Sequence, residues 1–219
     1  LKAMNGRITV RKRVIEVEGT GGLGGSCSRT VMPGWDEATA YMVGAGITGG
    51  DIILRDYDLR YSSWECRALS DAGVRIEKLE DAVRAWRPGE LQPFDIFTAP
   101  YPGINSDMQP IFAAIALFAR GESSITDTRF ENRFQYVEEM RRFGADITQY
   151  GNTAIVQGGK ALRPAEVTSP DLRGGAALAL TALGIVGRSR VRNAIQIYRG
   201  YENFDEKLRR LGATVEVEI

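Results

Sequence analysis

Asp107, Arg133, Arg173 and Arg199 are the residues of this sequence with both the chemistry and the placement to act on an anion. Each stands at the predicted mouth of a helix. There, unpaired N–H groups and the positive end of the helix dipole already favour negative charge. A guanidinium fork matches carboxylate or phosphate oxygens, and a carboxylate can take or return a proton. One acid among three arginines therefore describes a site for a small anionic ligand with one proton-transfer group. Each residue also has a plainer reading. Asp107, next to Ser106, can cap its helix, and the arginines can form surface ion pairs worth about 0–1 kcal/mol. Their company favours chemistry: FENRF around Arg133 and YRGYENF around Arg199 hold residues that secondary structure alone does not require.

The four residues stand out because the chain repeats itself. Gly50, Gly121 and Gly187 each end an apolar segment and open a strand: GDIILRD, GESSITD and GRSRVRN. After each strand come a polar turn, an amphipathic helix and a refrain, LSDAGVRI, MRRFGADI or LRRLGATV. Such regularity marks copies of one supersecondary unit. The equivalent locus ahead of each strand-opening glycine holds Asp36, Asp107 and Arg173, and the one behind holds Ser62, Arg133 and Arg199. The first helix of each unit (TAYMVGAGI, PIFAAIALF, GAALALTALGIV) is apolar around most of its circumference and must be enclosed by protein. The expected architecture is α/β with approximate threefold internal symmetry, helices inside and sheets outside, over residues 30–219. The repeats run about 30–95, 96–163 and 164–219.

Within the units, Glu37–Gly49 reads as a helix, Asp51–Asp56 as a strand, Ser62–Ala72 as an amphipathic helix and Arg75–Arg87 as a hairpin. Arg133–Phe143 is a helix with Phe134, Val137 and Met140 on one face. A second hairpin turns at Tyr150-Gly151-Asn152. Tyr201, Phe204, Leu208 and Leu211 are spaced for one helix face. Ahead of the units, Ile8–Val10 and Ile15–Val17 alternate as strands do. Residues 1–29 read as the tail of another domain followed by a linker, in a piece of a longer protein. GTGGLG at Gly19–Gly24 matches GxGxxG after a strand. A dinucleotide site needs a helix next, however, and Gly25–Val31 is extended, so the stretch reads as a hinge.

Composition excludes much else. The 219 residues are 43% hydrophobic and 26% charged with no net charge, which argues against a nucleic-acid surface. The absence of histidine removes Ser-His-Asp and Cys-His catalysis and HExxH zinc sites. Two cysteines, Cys27 and Cys66, are too few and too dispersed for a disulfide framework or zinc site, and both are expected as small core residues. The longest apolar run, Ile111–Ala119, is too short to span a bilayer. The expectation is a soluble cytoplasmic protein with no membrane partner.

Four blocks in order resemble the UDP-N-acetylglucosamine enolpyruvyl transferases: YPGINSDMQPIF, RFENRFQYVEEMRRFGADI, SPDLRGGAAL and IYRGYENFDEKLRRLGA. They span most of the second and third units, and the resemblance reaches more weakly back to IEVEGTGGLGG. It implies a two-domain enzyme, each domain an inside-out α/β fold of three βαβαββ units. It also implies transfer of enolpyruvyl from phosphoenolpyruvate to the 3-hydroxyl of UDP-N-acetylglucosamine, the first committed step of peptidoglycan synthesis, without metal or organic cofactor. Asp107 then matches the residue that contacts the sugar hydroxyl and serves as candidate base. Arg133, Arg173 and Arg199 match those around phosphoenolpyruvate. Glu131 matches an acid near the same pocket, and Arg129–Phe130 a uridine-nucleotide contact. This chain would be the C-terminal half, inactive alone and completed by an N-terminal domain in the same or another chain. That domain would carry a lysine and a reactive cysteine that have no counterpart here. Tyr198 stands where the family places an aspartate, and Gly34-Trp35 interrupts its first-unit turn. These departures leave two alternatives open: a paralogue with another acceptor, and a non-catalytic nucleotide-sugar-binding module.

Overall fold

The computed structural model describes residues 1–218 and divides the chain into two compact units, Leu1–Met32 and Pro33–Ile219. The first contains an antiparallel hairpin, β1 (Arg7–Arg11) and β2 (Val14–Glu18), in the register Arg7↔Glu18. Arg7 and Glu18 pair across it through their side chains. No helix follows the glycine-rich run after β2 within this unit, so the helix that a dinucleotide site needs is missing. Cys27 is exposed there, contrary to the core role expected of it. Its Gly/Ser-rich surroundings form neither helix nor strand, so no packed layer among the described residues buries it.

The second unit is the repeat domain. Its first copy runs α1 (Trp35–Thr48), β3 (Asp51–Arg55), α2 (Ser63–Asp71), β4 (Arg75–Lys78) and β5 (Ala82–Trp86). The second runs β6 (Asp95–Phe97), α3 (Gln109–Ala116), β7 (Glu122–Thr126), α4 (Tyr136–Arg142), β8 (Asp146–Tyr150) and β9 (Thr153–Gln157). The third runs β10 (Glu166–Thr168), α5 (Leu172–Leu183), β11 (Arg190–Arg192) and α6 (Phe204–Arg210).

The apolar helices α1, α3 and α5 contact one another at the centre. Met42, Val43, Ile111, Phe112, Ile115, Leu178 and Leu180 are all fully buried. Each such large side chain contributes about 1.5–3 kcal/mol of burial free energy. The amphipathic helices lay only one face on this bundle. Phe134, Val137 and Met140 are buried, as are Phe204 and Leu208, but Leu211 lies just beyond α6 and is exposed. The refrain glycines Gly73, Gly144 and Gly212 follow the ends of α2, α4 and α6 with φ of 98°, 88° and 95°. That left-handed region is open to glycine at little cost, which is why the residue recurs at this point of each copy.

The sheets differ between copies. The second is complete, in the order β6-β7-β9-β8, with β6 parallel to β7 and the rest antiparallel. The first has β3-β5-β4 and the third only β10 parallel to β11. Residues 213–218 follow α6 as β8 follows α4, yet pair with no strand among the described residues. In the second copy β8 joins its sheet only through β9, and no strand equivalent to β9 lies among the described residues of the third. No helix among the described residues is long and apolar enough to cross a membrane.

Candidate active site

Asp107 sits in a 3-10 turn, Ser106–Met108, that leads into α3. The capping role open to it from sequence is taken by Asn105, whose side-chain oxygen accepts from the Asp107 N–H (3.0 Å). Asp107 therefore keeps its own carboxylate for other groups. Its Oδ1 lies 3.0 Å from Arg133 Nη2 and its Oδ2 lies 3.8 Å from Arg173 Nε. The carboxylate is about a third exposed, so it is open to a ligand.

Arg133 stands just ahead of α4. Its Nη1 donates to Ser106 Oγ (3.1 Å), and its guanidinium lies 4.8 Å from the centre of the Phe130 ring. Gln109, fully buried at the start of α3, donates to the Arg133 carbonyl (3.1 Å) and ties the two helix mouths together.

Arg173 is in the first turn of α5, where Asp171 caps by accepting from the N–H groups of Arg173 and Gly174 (2.8 Å each). Its side chain is only 11% exposed and ion-pairs with Asp36 in the first turn of α1. The guanidinium lies 5.2 Å from the Tyr201 ring centre, and its Nε and Nη1 have no hydrogen-bond acceptor among the described residues. Burial works against its charge, but neighbouring Tyr201, Asp36 and Asp107 outweigh burial and hold its pKa above the usual arginine value. Burial pushes the Tyr201 hydroxyl up to about 12 despite Arg173. Backbone passes so close that a Cβ on Gly200 would lie 3.0 Å from Arg173 Nη1 and 2.4 Å from Leu172 Cδ1. Only glycine fits there without displacing one of them.

Arg199 does not join this group. It is exposed at the end of a 3-10 segment, Ala194–Arg199, and its Nη1 donates to Gln196 Oε1 (2.8 Å). The repeat makes it the counterpart of Arg133, but Gly200–Asn203 separates it from α6, whereas only Phe134 and Gln135 separate Arg133 from α4. An open hollow of about 430 Å³ is lined by Tyr198–Asn203 and includes Arg199, but not Asp107, Arg133 or Arg173. Ser62, at the same locus in the first copy, is a core residue bonded to the Tyr57 hydroxyl (2.5 Å) and to Cys66 Sγ (3.3 Å). Glu131, Arg129 and Phe130 lie together on the exposed loop before Arg133.

Two further residues, Asp36 and Asp127, have a hand in the site. Asp36 was visible as the first-copy equivalent of Asp107, but nothing local named Arg173 as its partner. Asp127, at the end of β7, is 1% exposed. It accepts from Ser106 Oγ (2.5 Å), Thr98 Oγ1 (2.9 Å) and the N–H groups of Arg129 (2.9 Å) and Phe130 (3.2 Å). It thus fastens the turn bearing Asp107 to the loop leading to Arg133. Burial raises its pKa, but these donors more than offset burial and hold it below the ordinary 3.8. A depressed folded-state pKa means that its stabilisation is present above the ordinary aspartate range and lost as pH falls through the folded value. Asp127→Asn is therefore expected to unfold roughly 2–3 kcal/mol more easily at pH 7, with the gap to wild type shrinking near pH 3. Urea titrations at the two pH values measure it, and an equal gap at both would show that the charge plays no part.

Residues 1–208 match the family described as EPSP synthase (3-phosphoshikimate 1-carboxyvinyltransferase). A UDP-N-acetylglucosamine 1-carboxyvinyltransferase of Desulfofundulus thermocisternus is 41% identical over 202 residues, covering 92% of this chain and 83% of that protein. Its namesake in Beijerinckia indica is 39% identical over 203 residues, covering 92% of this chain and 47% of that protein. Among solved structures, the enolpyruvyl transferase NikO from Streptomyces tendae superposes with a TM-score of 0.87 at 25% identity. It covers 97% of this chain and 51% of its own. This chain spans about half the length of the Beijerinckia and Streptomyces proteins.

Proposed function

Since this chain belongs to the EPSP synthase family, and within it to the UDP-N-acetylglucosamine 1-carboxyvinyltransferases, we propose that it supplies about half of an active site that transfers enolpyruvyl from phosphoenolpyruvate to the 3-hydroxyl of UDP-N-acetylglucosamine. The observation that carries this reading is Asp107. Its carboxylate, left free of the helix cap, faces guanidinium groups from two different repeats.

The chemistry needs those groups. As the sugar 3-hydroxyl oxygen bonds to C2 of phosphoenolpyruvate, Asp107 takes the hydroxyl proton. C3 gains a proton from a general acid of the complementary N-terminal domain, which takes one back in the elimination. Loss of phosphate from C2 and of a proton from C3 then restores the double bond. Both reactants are anionic, so guanidinium forks position them and offset the charge that gathers on the departing phosphate. Positioning of this kind supplies roughly 7–11 kcal/mol of barrier reduction in favourable cases. Arg173 and Arg133 take the phosphoenolpyruvate anion. Arg129, Phe130 and Glu131 form the edge that meets the nucleotide-sugar. Arg199 reaches the anion only if its segment moves toward Arg173, whose guanidinium already abuts Gly200. Residues 1–29, with the hairpin, belong in this reading to the connection with a complementary N-terminal domain. The reaction opens peptidoglycan synthesis and is assigned to the cytoplasm.

Reconstitution tests this. The chain is fused to, or mixed with, the N-terminal half of a UDP-N-acetylglucosamine 1-carboxyvinyltransferase, and phosphate release is followed with both substrates. Release that requires both halves and both substrates is expected. Tight binding of UDP-N-acetylglucosamine with no turnover in any reconstituted form would favour a non-catalytic nucleotide-sugar-binding module instead.

A further inference from the structure

Asp36 is the unexplained acid of this site. It lies in the first turn of α1, 21% exposed, with Oδ2 on Arg173 Nη2 and Oδ1 accepting from the Glu37 N–H (2.8 Å). Favourable interaction with the helix dipole accounts for an acid in the first turn. It does not account for the direction of the side chain, which leaves its own helix and crosses to the third repeat. The next residue does the same: Glu37 Oε1 pairs with Lys207 Nζ of α6 at 2.7 Å. One such bridge is enough to join the first and third repeats. The second is spent on a guanidinium that keeps two buried N–H-bearing nitrogens, Nε and Nη1, without acceptors.

Charge makes the consequence specific. Asp36 and Asp107 together balance Arg133 and Arg173, so the cluster is neutral as it stands. An incoming anion finds Arg173 already neutralised on the Nη2 corner, and must share that corner or displace Asp36 from it. We propose that Asp36 is a resting-state counter-ion that competes with the substrate anion for Arg173, lowering the affinity for the anion while keeping the buried guanidinium in place between turnovers. This deepens the proposed function and rests on its assignment of the anion to Arg173.

The sign of the effect separates this role from a structural one. Loss of a merely structural residue weakens binding, whereas loss of a competitor tightens it. Isothermal titration of the full chain with inorganic phosphate, and separately with phosphoenolpyruvate, is the test. Asp36→Asn is expected to bind each about tenfold more tightly than wild type, the size expected for one charge a few ångströms away that water largely screens. Asp36→Ser, a second neutral variant that suits a helix start, shows the same gain if the asparagine variant folds poorly. Asp36→Glu keeps the charge and stays near wild-type affinity. Arg173→Ala abolishes binding in every background. Unchanged or weaker binding in folded neutral variants, with Arg173→Ala still abolishing it, overturns the counter-ion role and leaves the anion site standing. Binding that is indifferent to Arg173→Ala, or absent from wild type, overturns both.

Discussion

Asp107→Asn is expected to lower kcat of the reconstituted enzyme by roughly 10²- to 10⁴-fold, the range for removing a positioned general base. The substitution keeps size and one acceptor oxygen but cannot take the hydroxyl proton. KM for UDP-N-acetylglucosamine should move little, because the nucleotide-sugar contacts assigned to Arg129, Phe130 and Glu131 are untouched. Asn105 still caps the turn through its own side chain, so the helix mouth should keep its shape. Single-turnover phosphate release at saturating substrates separates this loss from product release. Retention of more than half the wild-type rate would remove Asp107 from the chemistry.

Arg173→Ala should be nearly as severe, but in binding. The side chain is 11% exposed and pairs with Asp36, so truncation leaves a partly buried carboxylate without its partner. The substrate anion also loses its most enclosed fork. Truncating one member of a buried charge pair costs about 2–5 kcal/mol, or roughly 10²- to 10³-fold in KM for phosphoenolpyruvate at the middle of that range. Arg133 offers a contrast within the same site. Its side chain is 41% exposed, its ion pair with Asp107 is open to water, and screening reduces the worth of that pair. KM for phosphoenolpyruvate measured at fixed UDP-N-acetylglucosamine checks the prediction. A change confined to kcat would place Arg173 away from the ground-state anion.

Most of the fold is legible along the chain because its causes are local. An apolar helix with no polar face has to be enclosed, whatever encloses it. A glycine at positive φ after a helix recurs in each copy because other residues pay a strain penalty there. Hairpins announce themselves through alternation and a turn such as Tyr150-Gly151-Asn152. From these, the three copies, the central helices and the helix mouths can be placed, and with them Asp107, Arg133 and Arg173. Sheet completeness could not be read the same way, since pairing depends on which strands lie alongside. Residues 213–218 alternate as a strand should, and Glu216 and Glu218 pair with Arg188 and Arg190 through their side chains, yet no backbone ladder forms among the described residues.

The amino-acid sequence by itself determined the repeat, the enclosed helices and the family of blocks in which an acid and arginines occupy helix mouths. Tertiary structure alone decided which of those groups meet. Arg199 holds the same place in its copy as Arg133, but intervening residues before α6 leave it bonded to Gln196. Asp36 reaches Arg173 across a sequence separation of 137 residues, and Asp127 gathers donors from three separate stretches. The physical reason is range. Backbone conformation is set by neighbours a few residues away, whereas an ion pair forms only where packing of distant helices brings two charged ends within about 4 Å.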